Sequence, residues 1–574
     1  DLSVSLRSRH DSFFLPPTLP MRLPSARPLA VALIATILPG VAQAQAVAVP
    51  PAAEQIAAAV LPLSPELRDG ATVMGYKSKD KLEVLREGKN GMICLALYVT
   101  RPDFHVACYH KGLEPFMARG RELRSQGITK LEAVDSARFA EIKSGKLKMP
   151  AQGALFSLTG KKEQFDPKTN KASFITHPYR DPKTPSSSDL PMGPSVYWGD
   201  EPIWDSRTSV HNPIMDELGR VWFTSRVRPA DNPAYCKQGS DHPSAKVLPI
   251  AGSGRHLSMY DPKTDKWSLI NTCFGTHHLQ FGYDANDTLW MSTGGGGGNV
   301  GWINTKMLDE TGDIEKSQGW TALVLDTNGN GQRDDYTEPG KPQEPGKDMR
   351  IGATFYAVMP SPTDGSVWGT LRGNPGAIVR IDPTKNPHKS LAEMYNVPLP
   401  GFGPRGGDID KQGRVWVSLA SGHMGMFDRR LCKGPLNGPQ ATGNHCPEGW
   451  KFYQYPGPGF KGIGENSAES SYYSWVDQHN VFGLGEDIPM STANLMDGLV
   501  ALNKDGKMVS IRVPYPLGFY AKGFDGRIDD PNAGWKGRGL WSTNGDRTPW
   551  LMEGGKGSSP RAVHIQFRPD PLAR

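Results

Sequence analysis

The sequence contains no C-x-x-C pair and no C-x-x-C-H, which excludes the usual cysteine-rich zinc clusters and covalent haem attachment. Long apolar runs are missing as well: after residue 46 no segment approaches the roughly 20 apolar residues that a membrane helix needs. Charge of one sign is nowhere concentrated. Lys and Arg are interleaved with acidic residues, without a basic stripe or an aromatic platform, which argues against a nucleic-acid partner. The glycine run TGGGGGN at 293–299 follows a Trp-bearing strand and precedes no helix, so it reads as a rim loop and not as a nucleotide loop.

What the chain does hold is turn-formers. With 65 Gly and 50 Pro in 574 residues, beside 37% hydrophobic residues, it favours many short strands over long helices. Met21 opens an export signal: Arg22 and Arg27, an apolar run from Pro28 to Leu38, then Ala-Gln-Ala at 42–44, with cleavage expected after Ala44 or Ala46. Residues 1–20 carry no usable pattern and are expected to be an upstream extension. Residues 1–46 hold four Arg and two Asp, so their removal lowers the formal charge from +6 to +4. The expected product is a soluble periplasmic or secreted protein without a transmembrane anchor.

Six cysteines fall in three sequence-local pairs, Cys94 with Cys108, Cys236 with Cys273 and Cys432 with Cys446. Six cysteines allow 15 pairings; nearest-neighbour bridging closes short loops and suits an exported chain, with metal binding as the rival reading. Residues 47–150 carry helix-compatible stretches at Glu54 to Leu61, Leu113 to Ser125 and Lys130 to Lys143 and a strand-like ICLALYVT, and read as a small α+β module. Residues 151–205, rich in Pro, Ser, Asp and Lys towards their end, read as a connector.

Over 206–574 one unit recurs: HNPIMDELGRVWFTSR at 211–226, HLQFGYDANDTLWMSTGG at 278–295, PSPTDGSVWGTLRG at 360–373 and RGGDIDKQGRVWVSLASG at 405–422. Each has an apolar strand, a D-x-x-G-like turn, and a Val-Trp or Leu-Trp strand ending in small polar residues. SWVDQHNVFGLG at 474–485 and RGLWSTNGDRTPW at 538–550 are further degenerate copies. Asp-Pro phrases such as YDPKTDKWSLI at 260–270 join two outer strands, giving about four strands per unit. The expected fold is therefore mostly β: a six- or seven-bladed β-propeller with long loop insertions, preceded by the α+β module. A β-sandwich with similar hairpins is the alternative.

The run H-x-x-x-x-D-x-x-G-x-V-W-F-T at His211 to Thr224 resembles the blade motif of the streptogramin (virginiamycin B) lyase-like propellers, over about 205–430. The resemblance implies a bound divalent cation, Mg²⁺ or similar, at the axial channel, and catalysis by His and Glu side chains there. Matching the units places His211, His277 or His278, Tyr356, Arg405 and Tyr472 at the starts of inner strands, facing one mouth. His211 and His278 are the candidates for metal ligand or general base, and Arg405 for holding a carboxylate or an oxyanion. Tyr356 and Tyr472 are candidate substrate contacts or plain blade aromatics. No Glu aligns with the family's acidic residue; Glu465 and Glu469 are regional candidates. Trp198 and Trp204, beside Asp200, Glu201 and Asp205, could stack a saccharide-like substrate or simply seal the ring.

A separate signal is DTNGNGQRDDYTE at 326–338. Asp326, Asn328, Asn330 and Asp334 occupy positions 1, 3, 5 and 9 of an EF-hand-like loop, with Gly331 at the turn, the Gln332 carbonyl beside it and Glu338 one place beyond position 12. Structural Ca²⁺ is expected there. Two functions remain open: a metal-assisted lyase acting on a cyclic ester, glycoside or related substrate, or a non-catalytic propeller that binds a polymer or protein.

Overall fold

The computed structural model of the chain describes residues 48–574 except 64, 79–80, 151–152, 154, 167–170, 173–176, 178–207, 294–296, 385, 463, 514–518, 529–537, 545–560 and 567–574. Nearly all of these residues belong to the second of two units, Asp1–Ala48 and Val49–Arg574. The export signal, Trp198 and Trp204 lie outside the described residues.

The amino-terminal module is a five-stranded sheet whose inner strands Thr72–Ser78 and Met92–Leu95 run parallel and whose other neighbours are antiparallel. Helix Ala52–Ala59 packs on it through Ala58, Ala59 and Val60, and Glu114–Ser125 and Leu131–Lys143 follow where helices were expected. Cys94 and Cys108 are directly opposed across two antiparallel strands and form a disulfide. The last strand, Leu155–Gly160, pairs with Phe104–His110, so this sheet extends past residue 150 into the expected connector.

Beyond residue 208, consecutive antiparallel sheets are built by the same rule: each strand pairs with the next in sequence. The first sheet holds Pro213–Met215, Val221–Ser225, His256–Asp261 and Lys266–Ile270; the second Leu279–Phe281, Thr288–Ser292, Asn299–Asn304 and Gln318–Ala322. The third holds Val358–Pro360, Val367–Leu371, Ala377–Ile381 and Ala392–Asn396, extended at its outer edge by three short strands from 324–350. The fourth starts with Pro404–Ile409 and the fifth with Ser474–Asp477, each followed by three more strands. Phe524–Ile528, Arg538–Asn544 and Arg561–Ile565 make the sixth among the described residues. The first strands of successive sheets touch one another from the first sheet to the sixth, which is the radial arrangement of a β-propeller. Among the described residues no helix is long and apolar enough to cross a membrane.

The D-x-x-G-x-V-W run has a local physical cause. Asp216 Oδ1 accepts the backbone N–H of Leu218 and Arg220, and its Oδ2 accepts Arg220 Nε at 2.6 Å and Trp222 Nε1 at 2.9 Å. Asp410 repeats every one of these bonds with Gln412, Arg414 and Trp416. Gly219 and Gly413 supply the positive φ that closes each turn, at 82° and 77°. One carboxylate thus fixes the turn and orients the indole that fills the space between sheets, where Trp222, Leu257, Phe274 and Trp320 form a continuous apolar layer. The Cys236–Cys273 disulfide lies in that layer, and Cys432–Cys446 ties a loop of the fourth sheet.

Candidate active site at the axial mouth

Two residues after Trp222, Trp290, Trp368 and Trp416, and after Met490 in the fifth sheet, stands a Ser or Thr that determines how the mouth is built. Thr224, Ser292 and Thr370 accept, through their main-chain carbonyls, the N–H of His211, His277 and Tyr356 at 3.0, 2.9 and 2.7 Å. Their hydroxyls accept the next N–H, from Asn212, His278 and Ala357, each at 3.0 Å. In the fifth sheet Thr492 donates its N–H to the Tyr473 carbonyl at 3.1 Å, as Thr224 and Ser292 donate to Asn212 and His278, and its Oγ1 accepts from Tyr473 at 3.3 Å and from Tyr472 at 2.8 Å. The register therefore aligns His211 with His277, Tyr356 and Tyr472. His278 is one place further on, buried beneath His277.

Neighbouring sheets bring the three histidines together. The His211 and His277 rings stack at 4.2 Å with an interplanar angle of 19°, and His278 lies 4.1 Å from His277 and 5.3 Å from His211. One ring nitrogen from each falls within 4.8 Å of the other two. Burial, then the neighbouring imidazole of His211 and the cations Arg255 and Arg372, push His277 down to about 3. His278 is pushed down too, by burial first and then by His277 and His211. Both are neutral, which is the form that ligates metal. Nδ1 of His278 donates to the Tyr356 carbonyl at 2.8 Å, which leaves Nε2 with its lone pair. Nδ1 of His277 is buried without a hydrogen-bond partner. An orphaned imidazole nitrogen amid three neighbouring imidazole rings fits a bound cation; about 4.8 Å must contract towards the roughly 3.3 Å between ligands of a tetrahedral ion with bonds near 2.05 Å.

Next to the histidines stands a pair of phenols. Tyr356 packs edge-on against His278 at 4.6 Å and lies 6.2 Å from Tyr472. Burial and its hydrogen bond to Tyr472 hold the Tyr356 phenol well above its ordinary range. Tyr472 shifts the opposite way: burial opposes it, but the Tyr356 hydrogen bond and the cations Lys522, Arg405 and Arg372 bring it below the ordinary tyrosine value. Arg405 lies 4.9 Å and Lys522 Nζ 5.3 Å over the Tyr472 ring, while Arg372 lies 5.0 Å over Tyr356. The six sheets thus each place at least one polar side chain at the mouth: His211, His277 with His278, Tyr356 with Arg372, Arg405, Tyr472 and Lys522.

Of the sequence candidates, His211, His278, Arg405, Tyr356 and Tyr472 gather here. Arg372 and Lys522 were missed, although Lys522 sits just ahead of a degenerate Trp unit. Of the two regional candidates Glu465 and Glu469, Glu469 is buried and caps backbone N–H groups of Ser470 and Leu495. In the 326–338 loop, Asp326 takes the N–H of Gly329 and Gly331, and Asn328 and Asn330 converge on Asp334. Gln332 N–H bonds Asn330, and Glu338 turns away to pair with Arg350 at 3.1 Å. The buried carboxylate that joins this loop is Asp348, which accepts from Thr327 and Asp334 and whose pKa is raised by burial and by the charges of Asp326 and Asp334.

Asp408, on the first strand of the fourth sheet, is half-buried and accepts the Val476 N–H at 2.9 Å. Burial pushes its carboxyl up to about 7. A carboxyl with a raised folded pKa stabilises the fold below its unfolded value of about 3.9, and that contribution is lost as pH rises through the folded value. Asp408→Asn is accordingly expected to raise Tm at about pH 8 and to give no gain by about pH 4. Thermal melts across that range check the slope.

No family model and no curated protein matches the sequence. Among solved structures, a streptogramin B lyase is similar at 11% identity over 64% of this chain and 85% of its own, with a TM-score of 0.35. The virginiamycin B lyase of Staphylococcus aureus is similar at 13% identity over 58% of this chain and 91% of its own, with a TM-score of 0.29. YCF48 bound to D1 peptide is similar at 10% identity over 59% and 75%, with a TM-score of 0.32. Two of these are lyases of the group that the blade motif resembles. The propeller itself is read from the strand order above.

Proposed function

We propose that the chain is an exported, metal-dependent carbon–oxygen lyase. The observation that carries this reading is the convergence of His211, His277 and His278 on one point beside the rings of Tyr356 and Tyr472. Three imidazoles are a nitrogen donor set, better suited to zinc or another first-row transition ion than to Mg²⁺, which prefers oxygen. When bound there, such an ion would stabilise negative charge on a substrate oxygen.

The chain's own residues divide the proton work. Tyr472, among cations, takes a proton from the carbon next to a substrate carbonyl or carboxylate; the C–H electron pair becomes the new C=C bond and the neighbouring C–O bond breaks. Tyr356 keeps its proton and is placed to give it to the departing oxygen. The three disulfides suit an oxidising compartment and support export. Ca²⁺ in the loop of Asp326, Asn328, Asn330 and Asp334, with Asp348 as a further carboxylate, would have a structural role; burial first, and then the charges of Asp326 and Asp334, raise the pKa of Asp348.

Elemental analysis of protein purified without chelator tests both sites. Wild type is expected to carry one transition ion and calcium, His211→Ala/His278→Ala to lose only the transition ion, and Asp326→Ala to lose only calcium. An unchanged transition-metal content in the histidine variant would overturn the metal-lyase reading and leave a binding propeller.

A further inference from the structure

Arg372 and Arg405 make no ion pair with any described carboxylate, although the rest of the propeller pairs its arginines readily: Arg220, Arg380, Arg414 and Arg429 all do. Both instead lie over the Tyr356 and Tyr472 rings, and Lys522 joins them over Tyr472. Arg255, held to Ser209 and the Thr276 carbonyl, adds a fourth cation close enough to act on His277 and His278. The carboxylate of Asp408 acts on Tyr283 and Tyr473, and that of Asp525 on Tyr283. Like charges gathered at a mouth repel each other, and a cation on the three histidines would add to that repulsion. Such an arrangement is favourable when an anion completes it, and a guanidinium presents the planar fork that a carboxylate accepts with both oxygens.

We propose that the substrate is a carboxylate, its acid group held by Arg405 and Arg372 with Lys522 beside Tyr472, and this rests on the lyase reading of the same site. The roles then fit one another. Neutralising the carboxylate by three cations acidifies the C–H on the adjacent carbon, whose proton passes to Tyr472 while the C–H electron pair forms the double bond. The leaving oxygen sits one carbon further on and departs with the electrons of its C–O bond, taking the proton of Tyr356. Acidic saccharides have this arrangement of carboxylate, adjacent proton and glycosidic oxygen on successive carbons, and their apolar faces suit tyrosine rings.

Calorimetric titration of the metal-loaded full chain tests the inference with malonate and galacturonate, and with dimethyl malonate and galactose as uncharged counterparts. Saturable binding of the acids, at least about tenfold tighter than of the neutral pair and weakened about tenfold or more in Arg405→Gln and in Arg372→Gln, is the expected result. Absence of saturable binding by either acid in wild type, equal binding of acid and neutral forms, or acid binding unchanged in both variants would overturn it. The same titration after chelation separates the two readings. Acid preference that survives in protein shown to bind no transition metal keeps the anion site and removes the metal; metal present without acid preference does the reverse.

Discussion

Replacing Tyr472 with phenylalanine is expected to lower turnover of a substrate by about 10²–10⁴-fold, the usual contribution of a positioned general base. The substitution keeps the ring that Tyr356, Arg405 and Lys522 pack against, at 6.2, 4.9 and 5.3 Å, and removes only the oxygen. Metal content should therefore stay at its wild-type value while kcat falls. The pH profile supplies the sign. A base works when deprotonated, so wild-type kcat rises with pH through the lowered pKa of Tyr472, and that limb disappears in the variant. A substrate-free check is the ultraviolet absorbance of tyrosinate, in which wild type gains a band at lower pH than Tyr472→Phe. A variant that retained both kcat and the early-titrating band would remove Tyr472 from the chemistry.

Trp320→Ala is expected to cost about 4 kcal/mol of folding stability, in the range of buried Trp-to-Ala changes. Trp320 is fully buried in the last strand of the second sheet. Its indole stacks on His242 at 4.7 Å and 10°, and Nε1 donates to the Leu248 carbonyl at 2.6 Å. Alanine would leave a cavity between the first two sheets and an unpaired buried carbonyl, which by itself costs about 1–3 kcal/mol. Trp320→Phe should recover most of the apolar contact but not that hydrogen bond, and so fall between alanine and wild type. Urea denaturation midpoints order the three proteins. A loss below about 1 kcal/mol in Trp320→Ala would mean that the loop carrying Leu248 collapses into the space, against the packing described.

Part of the site was legible because its causes are local. The carboxylates of Asp216 and Asp410 bind groups no more than six residues away, so the turn, the glycine and the Trp recur as a readable string. The same string carries the Ser or Thr that fixes the mouth register, which is why the positions of His211 and Tyr356 follow from the sequence pattern. The choice between His277 and His278 was not legible. It turns on which of two consecutive N–H groups meets the Ser292 carbonyl and which meets its hydroxyl. Glu338 was read by its spacing as a loop ligand, but Arg350 lies within reach, and the buried place beside Asp326 and Asp334 is taken by Asp348 from a later strand.

The sequence by itself determined the repeating strand unit, the three cysteine pairs and the helices of the amino-terminal module, because each follows from hydrogen bonds or apolar spacing within a few tens of residues. Only the tertiary structure decided that Arg372, Arg405 and Lys522 share one mouth with three histidines, and that Tyr283 meets Gln478 at a separation of 195 residues. Those meetings depend on how successive twisted sheets pack around an axis. Each sheet adds its own rotation, and the sum of those rotations is a property of the packed whole that no single unit encodes.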